Sequence, residues 1–306
     1  MSDLQTSLLL MLGLAAAFAG LGAVLQRLPS GRPLAVGLVS VTLLMLVYVV
    51  LIWDSPLLVR LLPFSSAIIL GNWLPLIGAF YAGVCFQAAG VPIVRRVLLS
   101  GVLVGLCGYS LASPLLGSTP RCARVEFERV LEFQTTDSTC SAACAASLLR
   151  VHGIDATERE MASLCLTREG THWLGLYRGL KVKTAGTDWD VVVERVSGQT
   201  LLSQGSESGV LSLTFHGFAS NRSFETGFAV QSGHAVVCLG RGGQGVLKVF
   251  DPSPDYGFEN WDWKQLEQVE SAILVRLKPR AGRAVKRIPD PRQLWDNNVV
   301  YWERAR

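Results

Sequence analysis

The sequence predicts two parts of different character: an N-terminal all-α transmembrane bundle of about four helices, then a C-terminal α+β domain with an antiparallel sheet. Three observations carry this. Charge is nearly absent from the first 115 residues and ordinary after them. Apolar runs of membrane-crossing length recur in that first part. Beyond it, helix-like segments come first and strand-like segments follow, the order of an α+β domain.

The asymmetry is large. The 306 residues are 50% hydrophobic, and a mean hydropathy of +0.35 is high for a wholly soluble protein. Residues 1–115 hold only Arg27, Arg32, Arg60, Arg95 and Arg96 against Asp3 and Asp54, so 23 of the 28 basic and 22 of the 24 acidic side chains fall later. The net charge of +4 is spread over both parts, and no basic field points to nucleic acid. Zinc-type Cys/His spacing, a P-loop and a dinucleotide fingerprint are all missing, so no metal, cofactor or ATP is expected. The seven cysteines (Cys85, Cys107, Cys122, Cys140, Cys144, Cys165 and Cys238) are odd in number and irregular in spacing, which argues against a disulfide framework.

Membrane spans are expected at residues 8–25, 34–53, 65–89 and 97–116. About 20 apolar residues cross a bilayer core at 1.5 Å per residue. The first run could instead be a signal peptide, but its positive residues follow the apolar stretch and no small-residue cleavage site ends it. A buried soluble bundle is the other alternative. In the third run Asn72 and Pro75 are potential breaks. Lys and Arg in short loops set orientation. Arg27 and Arg32 put the first loop in the cytoplasm, and Arg95 and Arg96 the third. Four spans then leave both termini, and the soluble domain, extracytoplasmic; Arg121 and Arg124 pull the other way.

Domain boundaries are expected at 1–116 for the helical region, 117–128 for a linker, 129–280 for the soluble domain and 281–306 for a tail. Within the soluble domain, residues 125–133 read as an extended lead-in. Residues 139–152 read as a helix stopped by Gly153, and 157–166 as a second opened by a capping box of Thr157 and Glu160. Residues 171–180 form a third. Strands are expected at 191–196, 209–215, 228–230, 234–239, 245–250 and 272–277.

Reactive groups fall at the ends of these elements. Cys140 sits at a helix start, where unpaired backbone N–H groups favour a thiolate. Gln134, six residues earlier, could donate its amide to an oxyanion. His234 starts one strand and Asp251 ends the next; in an antiparallel pair with a short turn, those two positions are neighbours. Base and orienting acid beside a thiol follow the logic of a Cys-His-Asp triad.

These residues resemble the C39 family of cysteine peptidases, known from the processing domains of bacteriocin-exporting ABC transporters. The resemblance lies in Gln134-Thr-Thr-Asp-Ser-Thr-Cys140, then Ala142-Ala143 and Leu148-Leu149. It continues through His152-Gly153-Ile154, Gly170-Thr171, His234-Ala-Val-Val and Val249-Phe250-Asp251-Pro252. It covers residues 129–278, and its specificity lies in the ordered set rather than in any one motif. It implies a papain-like peptidase domain with Cys140 as nucleophile, His234 as base, Asp251 as orienting acid and Gln134 as oxyanion donor. The implied substrate is a peptide or protein, such as a leader cut after a small-residue motif. Two departures stand out. The family's Asp-Cys-Gly is Thr139-Cys140-Ser141 here, and Ser141 could narrow the cleft. There is also no P-loop ATPase domain, so a transport role would need a separate exporter.

Other candidates have plainer readings. Cys144, one turn after Cys140, is a buried neighbour, a redox partner or an alternative nucleophile. His152 caps a helix end, and His172 and His216 read as surface or capping residues. Asp137 reads as a solvated loop acid, and Asp255 is a second acidic candidate behind Asp251. Trp261, Trp263, Trp295 and Trp302 either anchor the core or meet the membrane interface. Two other functions fit the same residues: a module that captures peptides without cutting them, and another acyl transfer on the same triad.

Overall fold

The computed structural model describes residues 2–123, 130–204, 208–215 and 233–281. The chain divides into two units, Met1–Leu116 and Gly117–Arg306.

In the first unit, α1 (Asp3–Arg27) opens on a capping box in which Ser2 Oγ accepts from Gln5 N and Gln5 Oε1 accepts from Ser2 N. Next comes α2 (Gly31–Val47), which runs into a π turn at Tyr48–Ile52. A short α3 (Leu57–Leu61) precedes α4 (Ala67–Leu70) and α5 (Leu74–Phe86). Last is α6 (Ile93–Ala112). Four passages, Asp3–Arg27, Gly31–Ile52, Ala67–Phe86 and Ile93–Leu115, are long and apolar enough to cross a membrane.

The third passage is interrupted where Asn72 and Pro75 predicted trouble. The break leaves backbone groups that an apolar medium cannot satisfy, and side chains supply partners. Tyr48 donates its hydroxyl to the Gly71 carbonyl at 2.8 Å, and Trp73 Nε1 donates to Leu70 O at 3.1 Å. Asn72 Nδ2 reaches Ser110 O at 3.0 Å and Ser110 Oγ at 2.8 Å. Pro75 lies in the first turn of α5, where a missing N–H removes no helical bond.

A soluble bundle would turn its large apolar side chains inward. Here Val36, Val39, Val50, Val94 and Leu98 are all more than half exposed, with Val94 reaching 76%. The seam between α1 and α5 is instead built from small residues. A Cβ added at Gly22 would strike the Phe80 carbonyl, and one at Gly83 the Ala19 carbonyl. Close backbone approach through small residues is how helices associate where lipid gives no hydrophobic drive.

The second unit begins its regular structure with α7 (Cys140–Val151), α8 (Glu158–Leu164) and α9 (Trp173–Lys183). Then follow β1 (Trp189–Val196), α10 (Gly198–Gln204), β2 (Gly209–Phe215), β3 (His234–Arg241) and β4 (Leu247–Asp251). Last come β5 (Gly257–Trp261), α11 (Trp263–Leu266) and β6 (Val269–Pro279). The sheet has the order β1-β6-β2-β3-β4-β5, every pairing is antiparallel, and it is open among the described residues.

The helix α7 is the hub of this unit. Every residue on it but Arg150 is buried, and Ala142, Ala143, Ala145 and Ala146 let it lie close to its neighbours. It packs on α8, α9, β2 and β3. A second cluster forms around Leu201, Leu211, Val236, Val249, Trp261 and Leu266, with Leu201 supplied by α10 and Leu266 by α11. Helices therefore cover both faces, and β3 reads as a continuous apolar run from Ala235 to Leu239 instead of alternating.

Several boundaries differ from expectation. A bulge between Cys238 and Gly240, with Gly240 at φ 117°, carries β3 past its expected end at residue 239 to Arg241. The strand β5 and the short helices α10 and α11 were not expected. The sequence Gly-Phe-Glu-Asn-Trp is too polar to signal a strand, and β5 owes its place to pairing with β4. The strand expected at 228–230, part of the lead-in and the tail beyond 281 lie outside the described residues.

Gly83→Ile should lower the melting temperature of the full chain in detergent, because overpacking of this kind costs about 1–3 kcal/mol. Gly105→Ile, where an added Cβ meets nothing within 4 Å, should leave it unchanged. Equal effects from both would contradict the close α1–α5 seam.

Candidate active site

The site is assembled from a loop, a helix start and the ends of two strands. The loop comes first in the chain. From residue 132 to 136 it is held by groups from four places. Glu132 N donates to Ser147 Oγ on α7 at 2.8 Å. Gln134 N donates to Pro252 O, just past β4, at 2.7 Å. Thr135 N donates to Glu158 Oε1 on α8 at 2.7 Å, and Thr135 Oγ1 donates to Glu158 Oε2 at 2.7 Å. Thr136 N donates to Thr139 Oγ1 at 3.2 Å.

That last bond bears on the start of α7, where Cys140 stands. Thr139 occupies the N-cap of α7, yet its hydroxyl is engaged backward, accepting from Thr136 N and donating to Thr136 O at 2.9 Å. It makes no side-chain cap to the helix. The first-turn N–H groups of α7 are left open to an anion, with Cys140 as the first helical residue.

His234 and Asp251 meet as the strand geometry predicts. In the β3–β4 ladder Val237 faces Phe250, and the two side chains project to the same side of the sheet. His234 Nε2 donates to Asp251 Oδ2 at 2.7 Å, with both residues buried. The other carboxylate oxygen, Oδ1, accepts from Ser253 N at 2.8 Å, so Asp251 is fixed at both ends. With Nε2 engaged, Nδ1 is the nitrogen left for the thiol. Cys140 and His234 act on each other's ionisation.

The charges follow. For His234, burial opposes the imidazolium, but hydrogen bonds to Asp251 and Cys140 and their negative charge outweigh it, so the pKa is raised. For Cys140, burial opposes the thiolate, but the His234 hydrogen bond and charge, the Ala235 backbone and the Ser141 hydroxyl outweigh it, so the pKa is lowered. The two shifts reinforce each other, each charged form favouring the other. Cys144 goes the other way. Burial, then the charges of Cys140 and Asp251, push its thiol well above the usual value, and its Sγ donates to Ala235 O at 3.4 Å. Both cysteines are unbridged.

Of the four expected site residues, Cys140, His234 and Asp251 form one connected set. Gln134 joins it through its backbone, at Pro252, while its carboxamide makes no hydrogen bond to the other three. Its Oε1 is buried and lacks a protein partner. Ser141, next to Cys140, is among the groups that lower the Cys140 pKa. Glu259 was not singled out. It faces Val249 across the β4–β5 ladder and accepts from Trp261 Nε1 at 2.8 Å. Burial raises its pKa, with Asp251 adding to the rise. A glutamate in an unrecognised strand gave no signal.

The plainer candidates settle as follows. His152 Nδ1 contacts Leu148 O at 2.7 Å at the end of α7, and His172 Nδ1 accepts from Leu174 N at the start of α9. Asp137 and Asp255 are exposed, Trp261 is core and Trp263 is 47% exposed. His216, Trp295 and Trp302 lie outside the described residues. No group of side chains able to hold a metal ion occurs among the described residues.

The chain matches no protein-family model and no curated relative. Among the solved structures it is similar to are two peptidase domains. One is the peptidase domain of Streptococcus ComA, a bi-functional ABC transporter involved in a quorum-sensing pathway, at 17% identity over 49% of this chain and 98% of that one, with a TM-score of 0.39. The other is the peptidase domain of Streptococcus mutans ComA, at 18% identity over 49% of this chain and 100% of that one, with a TM-score of 0.33. Likeness at this level does not speak to the reaction of this chain.

The ion pair sets a pH dependence. Asp251→Asn removes the negative charge that raises His234, so less imidazolium faces the thiol and the Cys140 pKa rises. Iodoacetamide alkylation of Cys140 at pH 6, read by mass spectrometry, should then slow about tenfold or more. Ser141→Ala should move the alkylation midpoint up by less. An unchanged pH profile in Asp251→Asn would mean the thiolate does not depend on the pair.

Proposed function

We propose that this chain is a membrane-anchored cysteine peptidase, with Cys140 as nucleophile, His234 as acid–base and Asp251 as the group that orients the imidazole. The observation that carries the proposal is the fixed order Cys140, His234, Asp251 at the uncapped start of α7.

In the reaction, the Cys140 thiolate attacks a peptide carbonyl and a C–S bond forms. The resulting oxyanion is held by backbone N–H at the start of α7 and by the Gln134 carboxamide. The C–N bond then breaks as Nδ1–H of His234 passes its proton to the leaving amine. Water, deprotonated by His234, hydrolyses the thioester and restores the thiol. Asp251 keeps the proton on Nε2 in the neutral state, which leaves Nδ1 free to take one.

The four apolar passages serve as the anchor, with the lipid bilayer as partner. They keep the enzyme where small secreted or membrane peptides emerge, which raises effective concentration. A separate exporter would supply such peptides. Arg27 and Arg32 after the first passage, with Arg95 and Arg96 at the start of the fourth, favour a multi-pass topology in which the peptidase unit is extracytoplasmic. Protease added to intact cells should then digest that unit, and full protection would reverse the orientation.

Full-length protein in detergent, incubated with a peptide library containing small-residue pairs, should yield two fragments per cleaved peptide by mass spectrometry. Cys140→Ala and His234→Ala should each abolish the cleavage. Peptide retained but uncut would favour a capturing module. Deamidated or joined peptide would favour another acyl transfer on the same residues.

A further inference from the structure

The loop that carries Gln134 lies outside the sheet, so its N–H groups find no neighbouring strand: those of Glu132, Thr135 and Thr136 are held by side chains and that of Gln134 by a backbone carbonyl. One of these is charged. Glu158 is 1% exposed, and its carboxylate takes two bonds from the residue after Gln134: Thr135 N on Oε1 and Thr135 Oγ1 on Oε2, both at 2.7 Å. Its own backbone N–H donates to Glu132 Oε2 at 3.2 Å, and Glu132 is paired with Arg150 of α7 at 2.9 Å. On the other side of Gln134, the Pro252 carbonyl holds its N–H. Gln134 is thereby clamped between α8 and the residue that follows Asp251.

The carboxamide of Gln134 itself has no such restraint. Its Oε1 is buried without a protein partner. Its aim is set by the backbone on which it stands. We propose that Glu158 is a positioning residue for the acyl-transfer step: by gripping Thr135 it fixes the Gln134 backbone, so that the carboxamide donor stays aimed at the developing oxyanion over Cys140. This rests on the reading of Gln134 as oxyanion donor. A charge-assisted bond to a fixed carboxylate is stronger than a neutral one, which suits it to hold a loop that a hydroxyl would leave looser. Such a donor gains its rate effect from being held in advance of the reaction.

Two reagents separate positioning from general stability. Iodoacetamide alkylates the thiolate without forming an oxyanion. The ester p-nitrophenyl acetate acylates it through one: the C–S bond forms, the C–O bond breaks and p-nitrophenolate leaves. Both rates are measured on the full chain in detergent, as the part lost in Cys140→Ala. Gln134→Ala sets the ceiling, since loss of one oxyanion donor costs about 10²–10³ in rate. Glu158→Ala should slow acylation about tenfold or more while alkylation is unchanged, and the Gln134→Ala/Glu158→Ala double variant should be no slower than Gln134→Ala. Thr135→Val, which removes one of the two bonds and nearly keeps the shape, should show the same selective loss at smaller size if Glu158→Ala does not fold. Wild-type acylation in both Glu158→Ala and Thr135→Val, equal loss of acylation and alkylation, or multiplying losses in the double variant would each overturn the proposal. If Gln134→Ala itself leaves acylation unchanged, the oxyanion assignment fails, which is a different result from failure of Glu158 alone.

Discussion

The pairing of His234 with Asp251 at 2.7 Å is the interaction on which the site depends. Burying a carboxylate and an imidazole together is costly unless each satisfies the other. Here Asp251 Oδ1 is also taken by Ser253 N, so neither oxygen is idle. The pair fixes the tautomer, the tautomer leaves Nδ1 to the thiol, and the thiol sits at a helix end whose own cap residue has turned away. Each step narrows what the next group can do. The fold serves the same end: β3 and β4 must run antiparallel for a residue at the start of one to meet a residue at the end of the other.

The sequence foretold which residues would lie together at the ends of α7, β3 and β4 more closely than it foretold the elements around them. Cys140, His234 and Asp251 each stand at an element boundary, and boundaries are marked by strong local chemistry: Gly153 after the helix, Gly233 before the strand, Pro252 after the next. Antiparallel geometry then did the rest. What could not be read was anything that depends on partners distant in sequence. Glu158 looks like an ordinary first-turn acid, and only the folded chain brings it to Thr135, 23 residues away. The strand β5 is polar and short, and its identity comes from β4. In the apolar unit, composition gave the four passages, but the seam of Gly22 and Gly83 depends on which faces of α1 and α5 meet.

The two units satisfy their irregular backbone in the same way. In the apolar unit the break before α5 leaves carbonyls outside the helical ladder, and Tyr48, Trp73 and Asn72 act as local donors and bridges. In the other unit the loop that carries Gln134 has N–H groups with no strand beside them, and Ser147, Glu158 and Thr139 act as acceptors. The same accounting rule governs both. The difference lies in charge. The apolar unit uses neutral groups at its break, while the loop is held by the Glu158 carboxylate, with Arg150 paired to the neighbouring Glu132.

Cys140 and Cys144 bring these points to one comparison. They are identical side chains one helical turn apart, both buried, and their acidities move in opposite directions. Burial raises both. Cys140 overcomes it because His234, the Ala235 backbone and Ser141 all stabilise negative charge on its sulfur. Cys144 meets only the carbonyl of Ala235, to which it donates, and the negative charges of Cys140 and Asp251. Ala235 thus bears on both thiols: its backbone lowers the pKa of Cys140, and its carbonyl accepts from Cys144. A charged Cys140 makes ionisation of Cys144 harder, so the pair cannot both become thiolates in the same site. Acidity in this helix is therefore set by position: the thiol at the start of α7 is made more acidic by the groups around it, and the second is made less acidic by burial and by neighbouring negative charge.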